Sequence, residues 1–262
     1  MVGFIGGGNM AEALIKGMTS EGERDIIVSE PREDRRKYLE QSYGIKTTHV
    51  NRSVASSCAA IILAVKPQNM TAVLNEITGV ITDEKTVISI AAGITLSYLQ
   101  SKLNTKKIVR VMPNTPAIVQ QGMSVISLCE YLSDIDMARV REIFMSVGQV
   151  LVLPEKYMDA VTALSGSGPA FIAFFVEGMV DAGVKMGLSR DHSSELAIQT
   201  LIGTAALLKT GMSPEKLREM VTSPGGTTAA GLASFEDKGL VAMIIEALGA
   251  AHKRAEELGR RE

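Results

Sequence analysis

The chain has no tryptophan, and aromatic residues make up only 4% of its 262 positions, so its core and contacts have to be built from aliphatic and sulfur side chains. It has little cysteine. Cys58 and Cys129 lie far apart and outside any metal-spaced pattern, which fits a reducing intracellular compartment better than a disulfide framework. Histidine is equally sparse: His49, His192 and His252 are scattered, and no His, Cys and carboxylate cluster has zinc-ligand spacing. Charge of one sign is missing too. The 27 basic and 29 acidic side chains nearly balance, so nothing advertises nucleic acid or a charged tail. No run approaches the roughly 18 uninterrupted apolar residues of a membrane span. The apolar run after Met1 meets glycines within a few residues, unlike a signal peptide. The expectation is a cytoplasmic protein with neither a nucleic-acid nor a membrane partner.

What is plentiful is apolar aliphatic residue, glycine and methionine. A hydrophobic share of 46% suffices for a real core, and the length allows one large domain or two modest ones. The glycines cluster at a few places that read as turns beside a ligand. The methionines suit core or subunit contacts.

The first half alternates short apolar runs with helical stretches. Val2–Ile5, Ile26–Glu30, Ala60–Val65, Thr86–Ile90 and Ile108–Met112 read as strands buried on both faces, as in a parallel sheet. Ala11–Glu21, Arg32–Ser42, Pro67–Ile77 and Leu96–Leu103 carry apolar residues at helical spacing. Val125–Leu128 and Val150–Val152 add edge strands around a helix at Ile135–Met145. This alternation predicts a doubly wound, Rossmann-like α/β sheet over residues 1–153. After Pro154 strand-like runs disappear. Pro169–Met186, Arg190–Lys209, Pro214–Val221, Thr228–Phe235 and Leu240–Leu258 predict an all-helical half over residues 154–262. That half is so apolar that much of it is expected to bury against a second subunit, with a compact monomeric bundle as the alternative.

Gly6-Gly7-Gly8-Asn9-Met10-Ala11 is a G-x-G-x-x-A pattern placed after the first strand and opening a helix. The first glycine allows a tight turn, the second lets a pyrophosphate approach the backbone, and the small third residue lets helix and strand pack closely. Free N–H groups at the helix start face the phosphates. In Ser29-Glu30-Pro31-Arg32-Glu33-Asp34-Arg35-Arg36 the signs are mixed. Glu30 is placed to accept from a ribose 2′-hydroxyl, which favours NAD. Arg32, Arg35 or Arg36 could pair with a 2′-phosphate, which favours NADP. Ala64-Val65-Lys66-Pro67-Gln68, Ala91-Ala92-Gly93 and the rigid loop around Asn114 end later strands, where ligands of such sheets bind. Asn114 could donate to a ligand or cap its turn.

Two glycine-rich motifs lie in the helical half. Leu164-Ser165-Gly166-Ser167-Gly168-Pro169-Ala170 reads as a flexible polar loop before the longest helix. Ser223-Pro224-Gly225-Gly226-Thr227-Thr228 runs into another. Each aims backbone N–H groups from a helix start, as an anion cradle does. An N-cap loop is the plainer alternative, but two glycines flanked by hydroxyls exceed what a cap requires.

These motifs, with Gly3–Ala11, Val65-Lys66-Pro67-Gln68 and Val111–Pro116, resemble those of the pyrroline-5-carboxylate reductases over essentially the whole chain. Ser223–Thr228, followed by Ala230-Gly231-Leu232 and Glu236, is the most specific part of the likeness. The resemblance implies reduction of a cyclic C=N bond to give proline. It implies that the substrate carboxylate lies in the loop Ser223–Thr227, on Ser223, Gly225, Gly226 and Thr227. Thr228, taken as catalytic, places its hydroxyl beside the ring nitrogen. Coenzyme contacts are then expected at Gly6, Gly8, Asn9 and Met10, at Ser29, Glu30, Arg32 and Asn51, at Ala64, Val65, Lys66 and Pro67, and at Ala91, Ala92 and Asn114. NADPH is favoured and NADH allowed. A dimer, or a multiple of dimers, is implied as well. No metal is expected, because a protonated imine is already a strong electrophile and the coenzyme carries the chemistry.

Two rivals stand beside this reading. A 3-hydroxyacid dehydrogenase would need a catalytic lysine on the long helix, and Lys185 lies near its far end. A sensor that binds NAD(P)H without turnover would have no use for a second anion site.

Overall fold

The computed structural model describes residues 1–127 and 129–259. The chain packs as two compact units, Met1–Ser167 together with the end of the last helix from Ala251, and Gly168–Ala250.

The first unit runs β1 (Val2–Ile5), α1 (Asn9–Ser20), β2 (Ile26–Ser29), α2 (Glu33–Tyr43), β3 (Lys46–Thr48), α3 (Asn51–Ser57), β4 (Ala60–Leu63), α4 (Pro67–Ile77), β5 (Thr86–Ser89), α5 (Leu96–Lys102), β6 (Ile108–Pro113), β7 (Gly122–Ser127), α6 (Asp134–Met145), β8 (Gly148–Leu153) and α7 (Met158–Val161). The strands form one sheet in the order β3-β2-β1-β4-β5-β6-β7-β8. The first six are parallel, with Val2 beside Ile26 on one side and Ala60 on the other. β7 runs antiparallel to β6, and β8 parallel to β7. The order reverses between β1 and β4, which opens a crevice at the carboxyl ends of the strands.

The near-continuous apolar runs are explained by burial on both faces. In β1, Val2 and Phe4 join a core with Leu14, Ile15 and Phe144 from α1 and α6. Ile5 instead joins Ile61, Leu63, Met70 and Leu74, under α3, α4 and α5. Successive side chains of a strand point to opposite faces, so one short run feeds two cores. Each such side chain, fully buried, contributes about 1.5–3 kcal/mol.

The expected strands and helices of this half lie where the sequence places them, with ends shifted by up to a few residues. The last residue of the run Val125–Leu128 lies outside the described residues. Three elements were not expected: β3, α3 and the four-residue α7.

The second unit begins with α8 (Gly168–Lys185) and continues through α9 (Arg190–Lys209), α10 (Pro214–Met220) and α11 (Thr227–Asp237) into α12 (Leu240–Gly259). α8 lies against α9, where Gly183 admits the Ser193 side chain. A Cβ there would stand 2.5 Å from Ser193 Oγ. Phe175 and Phe235 meet with ring centroids 6.4 Å apart. Few side chains of this unit are buried, Val180, Ala197 and Leu217 among them. Phe174, Ile202, Val241 and Ile245 are exposed.

One expectation is corrected. The segment Leu164–Ala170 is not a flexible loop. Thr162–Gly166 is wound as a π-helical turn, and α8 begins at Gly168. The Ser167 N–H donates to Thr162 O at 2.9 Å, so it is engaged by the turn and does not face an anion. Such a turn at a glycine-rich motif is a frequent mark of a functional site.

Candidate functional site

The first group of site residues surrounds the end of β1. Gly6 N–H donates to Ser29 O (2.8 Å), and Ala64 N–H donates to Ile5 O (2.9 Å), which ties the ends of β2 and β4 to this turn. Gly6 has φ +99°, and a Cβ on it would lie 2.7 Å from Ala64 O. Only glycine fits that turn without strain. Gly8, the N-cap of α1, is different. Its backbone is extended (φ −71°, ψ −176°), and no side chain caps the helix. A Cβ on Gly8 would meet nothing within 4 Å. The first bond inside the helix runs from Glu12 N–H to Gly8 O, which leaves the N–H groups of Asn9, Met10 and Ala11 outside the helix's own ladder. Elsewhere the helix starts α5, α6, α9 and α10 carry side-chain caps from Thr95, Ser133, Ser189 and Ser213. An uncapped, glycine-opened start of a 12-residue helix at a switch point fits a pyrophosphate, by both hydrogen bonding and the helix dipole.

At the end of β2 the buried Ser29 hydroxyl donates to Asn51 Oδ1, and Asn51 Nδ2 donates to Glu76 Oε2 (2.7 Å). The fold thus joins Ser29 and Asn51, which the sequence separates by a helix and a strand. Glu30 is buried, and its carboxylate accepts from Gly7 N–H (3.0 Å), Arg32 N–H (3.2 Å) and Arg32 Nε (3.0 Å). Burial alone would raise its pKa. The hydrogen bonds from Arg32 and from Gly7 outweigh that and hold the carboxyl below its ordinary value.

The three candidate arginines have separate tasks. Arg35 Nε donates to Gly7 O (2.7 Å). Arg36 Nη1 donates to Glu30 O and Pro31 O, both at 2.8 Å. Arg32 pairs with Glu30 and keeps 60% of its side chain in solvent.

Lys66 is the exposed N-cap residue of α4, and Pro67 occupies the first position of that helix, where its missing N–H is tolerated. Ala64 and Val65 line the Gly6 turn. Ala91 is buried after β5, and Ala92 is half-buried. The next residue, Gly93, has φ +77°, and a Cβ on it would touch Leu258 at 3.0 Å.

Asn114 acts as a clamp inside this unit. Its Nδ2 donates to Ser165 O (3.2 Å) and lies 3.3 Å from Ser165 Oγ, while its Oδ1 accepts from Met123 N–H (2.8 Å). Its side chain therefore joins β7 to the π-helical turn. Of the two sequence readings, capping is the nearer, but across a span of 51 residues.

The second group lies in the helical unit. Pro224 and Gly225 form the corner of a turn closed by Gly226 N–H to Ser223 O (3.0 Å), with Gly225 at φ +68°. Proline followed by a positive-φ glycine is the chemistry of a type II turn. Gly226 is the N-cap of α11, with no side-chain cap, and the helix's own bonding begins with Ala230 N–H to Gly226 O (3.2 Å). The N–H groups of Thr227, Thr228 and Ala229 are free of that ladder. Among the described residues, the hydroxyls of Ser223, Thr227 and Thr228 have no hydrogen-bond partner. Thr228 is half-buried. Backbone donors and unengaged hydroxyls together suit a carboxylate.

Sequence reasoning missed two features. One is the set Glu12, Arg35, Tyr38 and Tyr43 beside the glycine turn. Its signal was an acid in the first turn of the helix that follows the glycine motif. The other is Arg110 in β6, buried between Glu155 (3.6 Å) and Asp159 (3.5 Å). Its signal was a lone cation in an apolar strand.

Residues 155–258 match the family model for pyrroline-5-carboxylate reductase dimerisation, and residues 1–93 match that for NADP oxidoreductase coenzyme F420-dependent. The chain is 42% identical to a pyrroline-5-carboxylate reductase of Synechocystis sp., over 99% of its own length and 98% of that protein. It is 42% identical to one of Methanosarcina acetivorans over the same shares, 99% and 98%. It superposes with TM-score 0.89 on a Plasmodium falciparum pyrroline carboxylate reductase with NADP bound, at 33% identity over 98% of this chain and 97% of that one. A pyrroline-5-carboxylate reductase from Coxiella burnetii gives TM-score 0.90 at 34% identity, with the same coverage of 98% and 97%.

Proposed function

The chain belongs to the pyrroline-5-carboxylate reductase family, and we propose that it reduces 1-pyrroline-5-carboxylate to L-proline with NADPH, accepting NADH as an alternative. The observation that carries this reading is the pairing of two uncapped, glycine-opened helix starts in one chain. One, at Gly6–Ala11, suits a dinucleotide, and the other, at Ser223–Thr228, suits a small carboxylate.

The coenzyme, when bound, supplies a hydride to the imine carbon. Everything else falls to the chain. The N–H groups of Asn9, Met10 and Ala11 hold the pyrophosphate, over the space kept open by Gly8. Ser29, Arg32 and Asn51 lie at the adenosine side. Ala64, Val65, Lys66, Pro67, Ala91, Ala92 and the backbone at Asn114 accommodate the nicotinamide side. The N–H groups of the Ser223–Thr227 loop hold the substrate carboxylate, and the Thr228 hydroxyl orients the ring nitrogen and stabilises the amine that forms there. A protonated imine needs no nucleophile and no tuned histidine, so positioning is the protein's main contribution. Holding two reactants in line lowers a barrier by about 7–11 kcal/mol.

Residues 1–153 serve the coenzyme in this reading, and residues 154–262 serve substrate and dimerisation. The exposed apolar side chains of α8, α9 and α12 are the surface that a second copy covers, in a dimer or a multiple of dimers. The stretch Glu155–Lys185 is long and apolar enough to cross a membrane. It lies wholly within the residues matched to the dimerisation family, and subunit contact accounts for its apolarity. The cytoplasm is the compartment in which the reaction is placed. Lys185 is the last residue of α8, a poor position for the catalytic lysine of a hydroxyacid dehydrogenase.

The test follows NADPH, and separately NADH, by absorbance with purified protein. Oxidation that depends on pyrroline-5-carboxylate supports the reading. Reduction of NADP+ or NAD+ by 3-hydroxyacids instead, or no turnover with any substrate from protein that binds coenzyme, refutes it.

A further inference from the structure

We propose that Glu30 and Arg35 together clamp the backbone of Gly7, and that this clamp sets affinity for both coenzyme forms alike. The inference rests on the reading of a nicotinamide dinucleotide at this turn.

Gly7 N–H donates to Glu30 Oε2 at 3.0 Å, and Gly7 O accepts from Arg35 Nε at 2.7 Å. A carboxylate and a guanidinium thus hold the N–H and the C=O of one residue. Gly7 has no positive φ, and a Cβ there would press on Leu39 Cδ1 at 3.0 Å and Glu30 Cβ at 3.2 Å. Its glycine serves this close approach.

Arg35 is itself held. Its Nη2 donates to Glu12 Oε2, and its guanidinium carbon lies 5.1 Å from the centre of the Tyr38 ring. The other Glu12 oxygen accepts from the hydroxyls of Tyr38 and Tyr43, both at 2.8 Å. Only 15% of the Arg35 side chain and 21% of that of Glu12 is exposed.

The arrangement has two consequences for an anion at this helix start. It fixes the plane of the peptides before Gly8, so the N–H groups of α1 face the ligand without a reordering cost on binding. It also neutralises Glu12, whose carboxylate in the first turn of α1 would otherwise repel phosphate. With Arg35 and Arg36 both turned to backbone carbonyls, neither presents its bonded edge to a 2′-phosphate. Arg32 is the exposed arginine of the three.

Isothermal titration of NADPH and of NADH into the full chain, without imine, tests the clamp. Arg35→Ala is expected to weaken both coenzymes by about tenfold, the worth of one charge-assisted hydrogen bond, with the ratio of the two changed by less than about threefold. Tyr43→Phe, a milder change that keeps Arg35, is expected to weaken both in the same direction by a smaller factor. The KM for the imine should stay put in each variant. A loss confined to NADPH would make Arg35 a 2′-phosphate ligand and overturn the proposal. Unchanged affinity for both coenzymes with a lowered melting temperature would reduce the network to a stability device and overturn it as well. A parent protein that binds neither coenzyme would remove the dinucleotide reading beneath it.

Discussion

Replacing Gly8 with alanine separates the fold from the ligand at a single methyl group. The backbone at Gly8 is extended, with φ −71°, which alanine adopts freely. The new Cβ would meet no protein atom within 4 Å. Alanine is a poorer N-cap than glycine by about 0.5–1 kcal/mol, but it reduces the entropy of the unfolded chain by a similar 0.4–1 kcal/mol. The two effects oppose each other, so stability should change by less than about 1 kcal/mol, or roughly 2–4 °C in melting temperature for a chain of this size. The coenzyme should feel the change strongly, because the methyl group stands where the pyrophosphate crosses the helix start. Its Kd should rise by at least about tenfold, or 1.4 kcal/mol. Thermal melts and calorimetric titration of the same variant give both numbers. A stable variant with parental coenzyme affinity would refute the placement of the pyrophosphate at this turn. Gly6→Ala is the control. With φ +99° and a backbone oxygen 2.7 Å away, it should lose stability as well as binding.

Thr228→Ala should lower kcat by about 10- to 100-fold, equivalent to 1.4–2.7 kcal/mol, without abolishing turnover, and a rate equal to the parent's would remove its catalytic role. Arg110→Ala leaves Glu155 and Asp159 without their shared cation and empties a buried site, so urea unfolding should show a loss of about 2–3 kcal/mol, discounted because both carboxylates are about a third exposed. Glu30 has a folded pKa held below its ordinary value of 4.5; burial opposes the shift, and the bonds from Arg32 and Gly7 outweigh it. A carboxyl of that kind stabilises fully above its unfolded pKa, and the gain is lost as pH falls through the folded value. The stability gap between the parent and Glu30→Gln should thus be constant at neutral pH and shrink below about pH 4.5; a gap that widens in acid would contradict the direction of the shift. Phe174→Asp, placed on an apolar surface where Phe174 is 77% exposed, should shift the protein from dimer to monomer in light scattering.

The sheet was legible because its strands are buried on both faces, which imposes near-continuous apolar runs on β1, β4, β5 and β6. The glycine turn was legible because phosphate approach and strand–helix packing restrict side-chain size at fixed spacing. β3 was not. Lys46, Thr47 and Thr48 carry no apolar pattern, and their strand is specified by pairing with Ile27–Ser29 of β2. α3 buries only Val54 and Ala55 from its seven residues, too few to reveal a period. The charged stretch after β2 gave a mixed message because Glu30 and three arginines differ in partner, and partners such as Gly7 O and Glu12 are supplied by tertiary contact. Asn114 likewise reaches Ser165 across 51 residues, a distance at which local pattern is silent. The Ser223–Thr228 loop was recognisable for the opposite reason. Its turn, its positive-φ glycine and its hydroxyls are all local.

The most direct test of the central claim follows the hydride itself. Coenzyme carrying deuterium at both positions of the reactive nicotinamide carbon is turned over with 1-pyrroline-5-carboxylate, and the product is examined by NMR. The account predicts L-proline with one deuterium, bound to the ring carbon that was doubly bonded to nitrogen. Proline without deuterium, or coenzyme oxidised at the same rate whether or not the imine is present, would contradict it.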